Sequence, residues 1–427
     1  MTTAGLALIL AAAILAQVVA AAVIGLWRRR RGYREPGEGG LATEHQQSPS
    51  APAIRNQSKS VDRAAWQGFM PFRVVRRVYE NRAQDICSFY LTPSEPMTLP
   101  PFKPGQFLTL KLNLQPDGDA DKQSVIRCYS LSDRPRPDHY RISVKRVSKP
   151  ADQPRTPAGR GSTHLHDHVQ EGDQVLVKAP SGHFHLLEDS SLPLVMIAGG
   201  IGITPMLSII NTLVEQGSER PIWLFYGVRN GREAVMQPQL REIALTNPLF
   251  HLHICYSRPE TADRIGIDYQ HEGHVDTALL QAVLALGRYQ FYICGPTVMM
   301  ESVVPGLEAL GVPLADIHYE AFGPATLTRP KEAGDESSAH SSEHRQVVFA
   351  KSGQSAEWTS SYESLLSFAE AQGVDVDSGC RAGSCGSCQT RIESGAVEYL
   401  QTPDADVEAD HCLLCISRPK SDLKLAI

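Results

Sequence analysis

Three cysteines in one glycine-rich loop constrain this chain more than any other feature of its sequence. The loop carries Cys380, Cys385 and Cys388, so that the spacing is Cys-x4-Cys-x2-Cys. Glycines lie between these cysteines, and glycine allows the positive φ angles that let one short loop direct several side chains to a common centre. Two further cysteines, Cys412 and Cys415, follow near the C-terminus. The fold of this region must therefore bring several thiolates around one small centre.

This spacing is typical of the ligands of a 2Fe–2S cluster, which is held by four cysteine thiolates. Inward-pointing backbone N–H groups of such a loop partly neutralise an anionic cluster. The cluster carries one electron at a time, so the loop predicts electron transfer. The competing interpretation is a zinc ribbon made of two Cys-x2-Cys pairs, 385 with 388 and 412 with 415. Zinc would leave Cys380 unused and the Gly/Ser-rich loop unexplained, so the sequence favours the cluster.

Length, charge and the other cysteines narrow the class of protein. A chain of 427 residues is long enough for two or three domains, and its net charge of −6 gives no reason to expect nucleic acid binding. Residues 346–427 hold twelve acidic and six basic side chains, which predicts either a docking face for a basic partner or a merely solubilising surface. The isolated cysteines are Cys87, Cys128, Cys255 and Cys294. They are expected to be buried free thiols in a reducing, cytoplasmic compartment.

An apolar segment near the N-terminus is long enough to cross a membrane. Residues 4–27 carry no charge, and these 24 residues can span a hydrocarbon core of about 30 Å. Four arginines, 28–31, follow directly, and no Lys or Arg precedes the segment. The positive-inside rule therefore predicts one transmembrane helix in the inner (plasma) membrane, with the remaining chain in the cytoplasm. A cleaved signal peptide is the alternative, but it would place basic residues before the apolar stretch.

The rest of the chain divides by its pattern into two folded domains and two connecting segments before the cysteine-rich part. Short strands separated by turn signals predict a small antiparallel β-barrel at 67–189. Strands that alternate with helical segments predict an α/β domain with a parallel sheet at 190–325. Residues 28–66 and 326–345 are rich in polar and small side chains and are predicted to be a tether and a linker.

The predicted barrel carries two elements that fit a flat, anionic ligand. Arg127 can pair with phosphate, Tyr129 can pack on a ring, and Ser130 can meet a polar ring edge. Further along, a helix opens with glycine and exposes N–H groups to which a pyrophosphate can bind. The residues of this second element are Gly159, Gly161 and Ser162. The two elements in this order are more specific than either alone.

The predicted parallel sheet carries a dinucleotide signal. Residues 199–206 read Gly-Gly-Ile-Gly-Ile-Thr-Pro-Met, directly after a strand and at the start of a helix. A glycine turn in this context can bind a dinucleotide, although the run is not a strict G-x-G-x-x-G. Residues 294–296, Cys-Gly-Pro, end a later strand. Ligands of parallel sheets bind at the carboxyl ends of the strands, so both turns are expected at one site.

In order, these motifs and His-Tyr-Glu-Ala-Phe-Gly-Pro at 318–324 resemble the ferredoxin-NADP reductase superfamily, and most closely the reductase half of flavohaemoglobins. The resemblance covers roughly residues 68–325 and implies FAD in the barrel and NAD(P)H as substrate on the sheet. No globin precedes the reductase part, so haem chemistry is not implied. The implied FAD-binding residues are Arg127, Tyr129, Ser130, Gly159, Gly161 and Ser162. The implied nicotinamide dinucleotide residues are Gly199, Gly200, Gly202, Gly295 and Pro296. Thr204 and Cys294 would position the nicotinamide, and Phe322 would cover the flavin ring.

Residues 346–427 separately resemble a plant-type ferredoxin domain, which implies a β-grasp fold. The tail Cys-Ile-Ser-Arg-Pro matches the family with the ligand at its first residue, which implies that Cys415 is a ligand and that Cys412 is a buried thiol. The implied cluster ligands are Cys380, Cys385, Cys388 and Cys415.

The domain order is similar to that of the reductase components of oxygenases and desaturases and of the hybrid-cluster-protein reductase. It implies that NAD(P)H gives a hydride to FAD and that single electrons leave through the cluster to a redox protein of one of these kinds. A membrane redox sensor, a quinone-directed NADH reductase and a scaffold with degenerate cofactor sites are the alternatives. Arg229 and Arg258 could accept a 2′-phosphate, whereas the flavohaemoglobin resemblance favours NADH.

Overall fold

The computed structural model describes residues 65–66, 68–114, 124–148, 159–321, 345–403, 405 and 407–427. All of them lie in one compact unit, Asp62–Ile427. Within these ranges, no helix combines the length and the apolar character needed to cross a membrane. The predicted transmembrane helix at 4–27 lies outside the described residues, as do most of the tether, most of the 326–345 linker, and Phe322.

The first domain is a six-stranded antiparallel sheet. Its elements are β1 (Met70–Tyr79), β2 (Ile86–Pro93), β3 (Phe107–Asn113), β4 (Ser124–Ser130), β5 (Tyr140–Lys145), α1 (Arg160–Asp167) and β6 (Gln174–Ser181). The strand order is β4-β3-β6-β1-β2-β5, and a bridge between Leu131 and Ile142 joins the two ends of the sheet. Strand β1 alternates buried Phe72 and Val74 with exposed arginines, as expected for a strand with one face on a core. The predicted antiparallel β domain is confirmed.

The second domain is a six-stranded parallel sheet with helices. Its elements are β7 (Leu194–Gly199), α2 (Ile203–Glu215), β8 (Ile222–Val228), α3 (Gln237–Thr246), β9 (Phe250–Tyr256), β10 (His271–Glu272), α4 (Thr277–Val283), β11 (Gln290–Gly295), α5 (Thr297–Ala309) and β12 (Ile317–Ala321). Strands β7 and β11 are buried throughout, as in sheets covered on both faces. The strand order in the sheet is β10-β9-β8-β7-β11-β12. All pairs are parallel, but successive strands are added on one side of β7 up to β10 and on its other side from β11 onward. The gap between β7 and β11 is therefore the switch point of the sheet, where such sheets bind ligands. The predicted parallel sheet is confirmed.

The third domain is a mixed sheet with one short helix. Its elements are β13 (Arg345–Phe349), β14 (Gln354–Trp358), α6 (Leu365–Ala371), β15 (Gln389–Ser394), β16 (Val397–Tyr399), β17 (His411–Leu413), β18 (Ser417–Pro419) and β19 (Leu423–Leu425). The main sheet has the order β14-β13-β19-β15-β17. Its core is apolar and includes Phe349, Phe368 and Leu414. The segment between α6 and β15 is a long irregular loop that carries Cys380, Cys385 and Cys388.

Candidate functional site

The cysteine loop brings its thiols together in pairs. Backbone N–H to sulfur hydrogen bonds join Cys380 to Cys385 and Cys415 to Cys388. The backbone allows this arrangement because Gly383 and Gly386 adopt φ angles of 77° and 68°, which are strained for other residues. The structure therefore places the four predicted ligands in two pairs, as a centre with two iron atoms requires.

Backbone N–H groups of the loop point at these sulfur atoms. The N–H groups of Ser384 and Cys385 each donate to Cys380 Sγ at 3.3 Å, and that of Cys380 donates to Cys385 Sγ at 3.3 Å. The N–H of Cys415 donates to Cys388 Sγ at 3.4 Å. Such donors stabilise negative charge on sulfur. Hydrogen bonds, from Cys128 first and then Cys380, hold the pKa of Cys385 far below that of an ordinary thiol.

Cys412 has a different environment from the four paired cysteines. Its side chain is fully buried in the hydrophobic core of the domain and hydrogen-bonds to Ser417, and burial raises its pKa to about 12. In the described part of the chain, no three His, Cys, Asp or Glu side chains are grouped for a single metal ion. The donor set, four thiols with inward N–H groups, fits a 2Fe–2S cluster held by Cys380, Cys385, Cys388 and Cys415.

The predicted flavin residues meet where strand β4 faces the start of helix α1. A Cβ atom added at Gly161 would lie 2.8 Å from Arg127 Cγ and 3.2 Å from the Tyr129 hydroxyl, so only glycine allows this approach. The Ser162 hydroxyl donates to the carbonyl of Gly159 at 3.1 Å and accepts from the N–H of Val147. These hydrogen bonds hold the start of helix α1 beside Arg127. The N–H groups of the first turn of this helix are then available to bind a pyrophosphate.

Two buried polar atoms close to this strand lack partners. Ser130 Oγ and Glu320 Oε2 make no hydrogen bond with any described residue. Burial raises the pKa of Glu320 to about 8, and the nearby Ser130 hydroxyl opposes this shift. Cys294 is fully buried, and its pKa is raised first by burial and then by the charge of Glu320. A donor and an acceptor without partners among the residues that the structure describes fit the polar edge of a flavin or nicotinamide ring.

The two glycine turns predicted for the dinucleotide come together at the switch point. A Cβ atom added at Gly202 would lie 2.1 Å from the Cys294 carbonyl oxygen, and one added at Gly199 would lie 2.6 Å from Pro296 Cδ. Gly295 likewise touches Gly199, with an added Cβ 3.0 Å from its Cα. The turn after β7 can pass the end of β11 this closely only because its residues lack side chains.

The remaining predicted residues take different positions around this turn. Gly200 has a φ of 54° and faces open space, with no described atom within 4 Å of an added Cβ. Thr204 is buried, and its hydroxyl donates to the Ile201 carbonyl at 3.0 Å, so it stabilises the turn from inside. Its role and that of Cys294 in positioning the nicotinamide stay predictions, as does the role of Phe322, which lies outside the described residues.

The cluster loop lies against the flavin-binding strand. The Cys128 thiol, between Arg127 and Tyr129 in sequence, lies beside the Cys385 side chain. Lys178 of strand β6 donates from Nζ to the Cys385 carbonyl at 3.0 Å. The structure thus brings the predicted flavin and cluster residues together, although more than 200 positions separate Lys178 from Cys385.

Sequence reasoning did not assign Glu320, Cys128 or Lys178 to the site. Glu320 lies within the motif 318–324, where only Phe322 received a role. An acidic side chain at the end of a buried strand was the available signal. Cys128 and Lys178 carried no such signal, because their importance depends on contacts with a distant loop.

Three family models match the chain, one for each domain. An oxidoreductase FAD-binding domain matches residues 72–186, and an oxidoreductase NAD-binding domain matches residues 196–304. A 2Fe-2S iron-sulfur cluster binding domain matches residues 349–420. The three matches follow the order of the three folded domains.

Known proteins match the same regions. A flavohemoprotein of Bacillus cereus is 39% identical over 260 residues, which is 61% of this chain and 62% of that protein. The chain therefore spans less than two thirds of this relative. The flavohem-like FAD/NAD binding domain of nitric oxide dioxygenase from Vibrio cholerae is 32% identical, covers 60% of this chain and is covered completely, with a TM-score of 0.51. An intact type IV self-sufficient cytochrome P450 monooxygenase shares the fold over 84% of this chain and 41% of its own, with 21% identity and a TM-score of 0.53.

The matched domains and the geometry define the class: the chain is a flavin- and iron–sulfur-dependent oxidoreductase. More particularly, a flavohaemoglobin-like module with FAD-binding and NAD-binding domains is followed by a C-terminal 2Fe–2S domain. When bound, FAD accepts a hydride from NAD(P)H and the cluster carries single electrons. The residues that would hold these groups are the cysteines and N–H groups of the 380–388 loop, the start of helix α1, and the buried pair of Ser130 and Glu320.

Proposed function

We propose that the chain is a membrane-anchored NADH-dependent reductase that delivers single electrons to a redox protein, such as an oxygenase, a desaturase or a hybrid-cluster protein. The observation that supports it is the position of the cluster loop. One side of the loop contacts the flavin-binding strand through Cys385, and Ala382 on the loop is exposed. Electrons can therefore enter from the barrel and leave toward an approaching partner.

The charge around the exposed side of the loop favours a basic partner. Asp375 and Asp377 are exposed directly before the loop, and Glu370 pairs with Arg381 within it. Complementary charge of this kind accelerates the encounter of redox proteins and depends on ionic strength. We expect reduction of a basic one-electron acceptor such as cytochrome c to slow as salt is added.

Replacing cluster ligands tests the order of electron transfer. Cys415→Ser is expected to lose iron and to abolish NADH-dependent cytochrome c reduction, whereas NADH still bleaches the flavin. Cys412→Ala is the matched control, because Cys412 lies in the core beside the ligand set. Iron loss in Cys412→Ala with retention in Cys415→Ser would contradict the ligand assignment. A redox sensor, by contrast, would be reduced once and would not sustain NADH consumption.

The preference for NADH is supported by the charges near the end of strand β8. Arg229 pairs with Glu233 at 3.4 Å, and Glu233 also pairs with Lys145 at 3.3 Å. A carboxylate there opposes the 2′-phosphate of NADPH. We expect kcat/KM to be higher for NADH than for NADPH, and we expect Glu233→Gln to reduce this difference. If the ratio of the two kcat/KM values were the same in Glu233→Gln as in the unaltered chain, Glu233 would not be the cause of the preference.

Membrane anchoring is a proposal from the sequence of residues 4–27. The full chain is expected to sediment with membranes and to resist a carbonate wash. A chain that starts at residue 28 is expected in the supernatant, with NADH-dependent flavin reduction retained. If the full chain and the shortened chain were found in the same proportions in the membrane fraction and the supernatant, residues 4–27 would not be a membrane anchor.

A further inference from the structure

One thiol of the flavin domain reaches the cluster loop. Cys128 lies on β4 between two predicted flavin residues, and strand alternation directs its side chain to the opposite face from theirs. The thiol lies beside the side chain of Cys385, a predicted cluster ligand. A Cβ atom added at Gly379 would lie 3.0 Å from Cys385 Sγ and 3.1 Å from Cys128 Sγ, so the loop passes closely over both sulfur atoms. The contact thus belongs to the packing of two domains.

The surroundings of Cys128 favour the thiol as donor in this contact. A cysteine that holds a cluster is a thiolate and can only accept hydrogen bonds, so a thiol that lies beside it is the donor. Thr109 Oγ1 lies 3.4 Å from Cys128 Sγ, and Thr109 is fully buried on the neighbouring strand. The Thr109 hydroxyl can donate to Cys128 while Cys128 donates to Cys385. The three side chains then form a relay that ends on the ligand sulfur.

A second barrel residue holds the same ligand from the backbone side. Lys178 Nζ donates to the Cys385 carbonyl at 3.0 Å and lies 5.2 Å from the centre of the Phe69 ring. This ammonium fixes the position of Cys385 over the barrel and adds positive charge near it. Cys385 is therefore contacted by both β4 and β6 of the flavin domain.

We propose that Cys128 is a tuning residue for electron transfer, and that its thiol donates a hydrogen bond to the Cys385 ligand sulfur and raises the reduction potential of the cluster. The proposal rests on the proposed function, because it assumes a cluster on these cysteines that receives electrons from the flavin. Hydrogen bonds to cluster sulfurs are among the factors that set cluster potentials. Reduction adds negative charge to the ligand sulfurs, and a donor stabilises the reduced form more than the oxidised form.

The decisive experiment measures the cluster potential by EPR at a series of applied potentials in the full chain. Hydrogen bonds to charged groups are stronger than those between neutral groups, and part of this difference applies between two oxidation states of the cluster. Cys128→Ala is expected to make cluster reduction roughly tenfold less favourable, which for one electron is about 59 mV to more negative potential. Cys128→Ser keeps a hydroxyl donor and is expected to shift the potential by less than half as much.

Two further variants separate hydrogen bonding from packing. Thr109→Val removes the donor behind Cys128 and is expected to shift the potential in the same direction by a smaller amount. Cys87→Ala removes a buried thiol of the same barrel, one that accepts from Arg77 Nε, and is expected to leave the potential unchanged. Resonance Raman spectra provide a second readout, because loss of the donor is expected to raise the Fe–S stretching frequency of the Cys385 bond.

A variant is compared with the unaltered chain only if both contain the same amounts of iron and FAD. If Cys128→Ala does not fold, the cluster potential is measured in Cys128→Ser instead. An unchanged potential and Raman spectrum in Cys128→Ala would overturn the proposal, as would an equal shift in Cys87→Ala. Either result would leave the proposed function standing if NADH still reduces the cluster. An unaltered chain whose cluster NADH cannot reduce would instead refute the proposed function.

Discussion

At the scale of single residues, Glu320 is the side chain whose chemistry the structure defines most sharply. Its Oε2 atom is buried beside Ser130 with no hydrogen-bond partner among the described residues. Burial raises its pKa from 4.5 to about 8, so the carboxyl is protonated at neutral pH. A protonated carboxyl can donate a hydrogen bond to a ligand ring, which an ionised one cannot do.

This raised pKa predicts a pH dependence of stability in protein stripped of flavin. Between pH 4.5 and about 8 the unfolded chain ionises Glu320 while the folded chain keeps the proton. The folded state binds more protons over this range, so the free energy of unfolding falls as pH rises. Glu320→Gln is expected to flatten this decline, as measured by thermal unfolding between pH 5 and 8.

The exposed Glu301 of helix α5 provides a matched control for this prediction. Glu301→Gln should leave the slope of stability against pH unchanged. Ser130→Ala should extend the decline to higher pH, because the Ser130 hydroxyl lowers the pKa of Glu320 in the folded state while the pKa in the unfolded state is unaffected. Identical pH profiles for the unaltered chain and Glu320→Gln would show that this carboxyl ionises normally.

At the scale of elements, the site depends on the close passage of the turn after β7 over the end of β11. A side chain at Gly202 would meet the backbone oxygen of Cys294 at 2.1 Å, and backbone atoms cannot move aside as a flexible side chain can. Gly202→Ala is expected to destabilise the protein by about 3 kcal/mol or more. Since the turn must shift away from β11, KM for NADH is expected to rise at least tenfold.

The comparison for this prediction is Gly287→Ala. An added Cβ at Gly287 meets only Tyr289 at ordinary contact distances of 3.6–3.8 Å. Its melting temperature and KM are expected to match those of the unaltered chain. If Gly202→Ala behaved in the same way, the two turns would not be packed as the structure shows.

The elements were predictable from sequence to the extent that their signals are local. Glycine turns after buried strands and the cysteine spacing indicate chemistry within a few residues, and the structure brings Gly202 to Cys294 and Cys380 to Cys385. The contact of Cys128 with Cys385 was not predictable, because periodicity contains no information on how two domains pack. The choice of Cys415 over Cys412 required resemblance, because both are cysteines of one short segment, and only the structure shows that Cys415 lies beside Cys388 whereas Cys412 is buried in the core.

At the scale of the whole molecule, Asp133 connects the flavin domain to the nicotinamide domain. Its carboxylate accepts from Asn211 Nδ2 at 2.9 Å and from Arg136 Nε at 3.0 Å, and its carbonyl accepts from the Ser208 hydroxyl at 2.9 Å. Asn211 and Ser208 lie on helix α2. Burial alone would raise the pKa of Asp133, but the charge of Arg141 and these hydrogen bonds outweigh it and lower the pKa.

Removing this connection is expected to weaken the packing of the two domains. Asp133→Ala should lower the free energy of unfolding by roughly 1–3 kcal/mol, the cost of leaving buried donors unpaired. Because the folded pKa is lowered, the stabilisation is present above the ordinary value of 3.8 and is lost as pH falls through the folded pKa. The difference in melting temperature between the unaltered chain and Asp133→Asn should therefore diminish on strong acidification.

Asp138 of the same loop is the control for Asp133. Its side chain is 71% exposed and pairs with the neighbouring His139. Asp138→Ala is expected to change the melting temperature little. Equal destabilisation by the two substitutions would show that the loop, rather than the contact with α2, determines the effect.

We infer that electrons pass from NADH through the flavin to a cluster held by Cys380, Cys385, Cys388 and Cys415. Stepwise anaerobic addition of NADH to the full chain, followed by visible absorption and low-temperature EPR on the same samples, measures both steps. We expect bleaching of the flavin together with the EPR signal of a reduced 2Fe–2S cluster, in protein that contains iron and acid-labile sulfide. Flavin bleaching without a cluster signal, or purified protein with zinc in place of iron and sulfide, would show that this path does not exist.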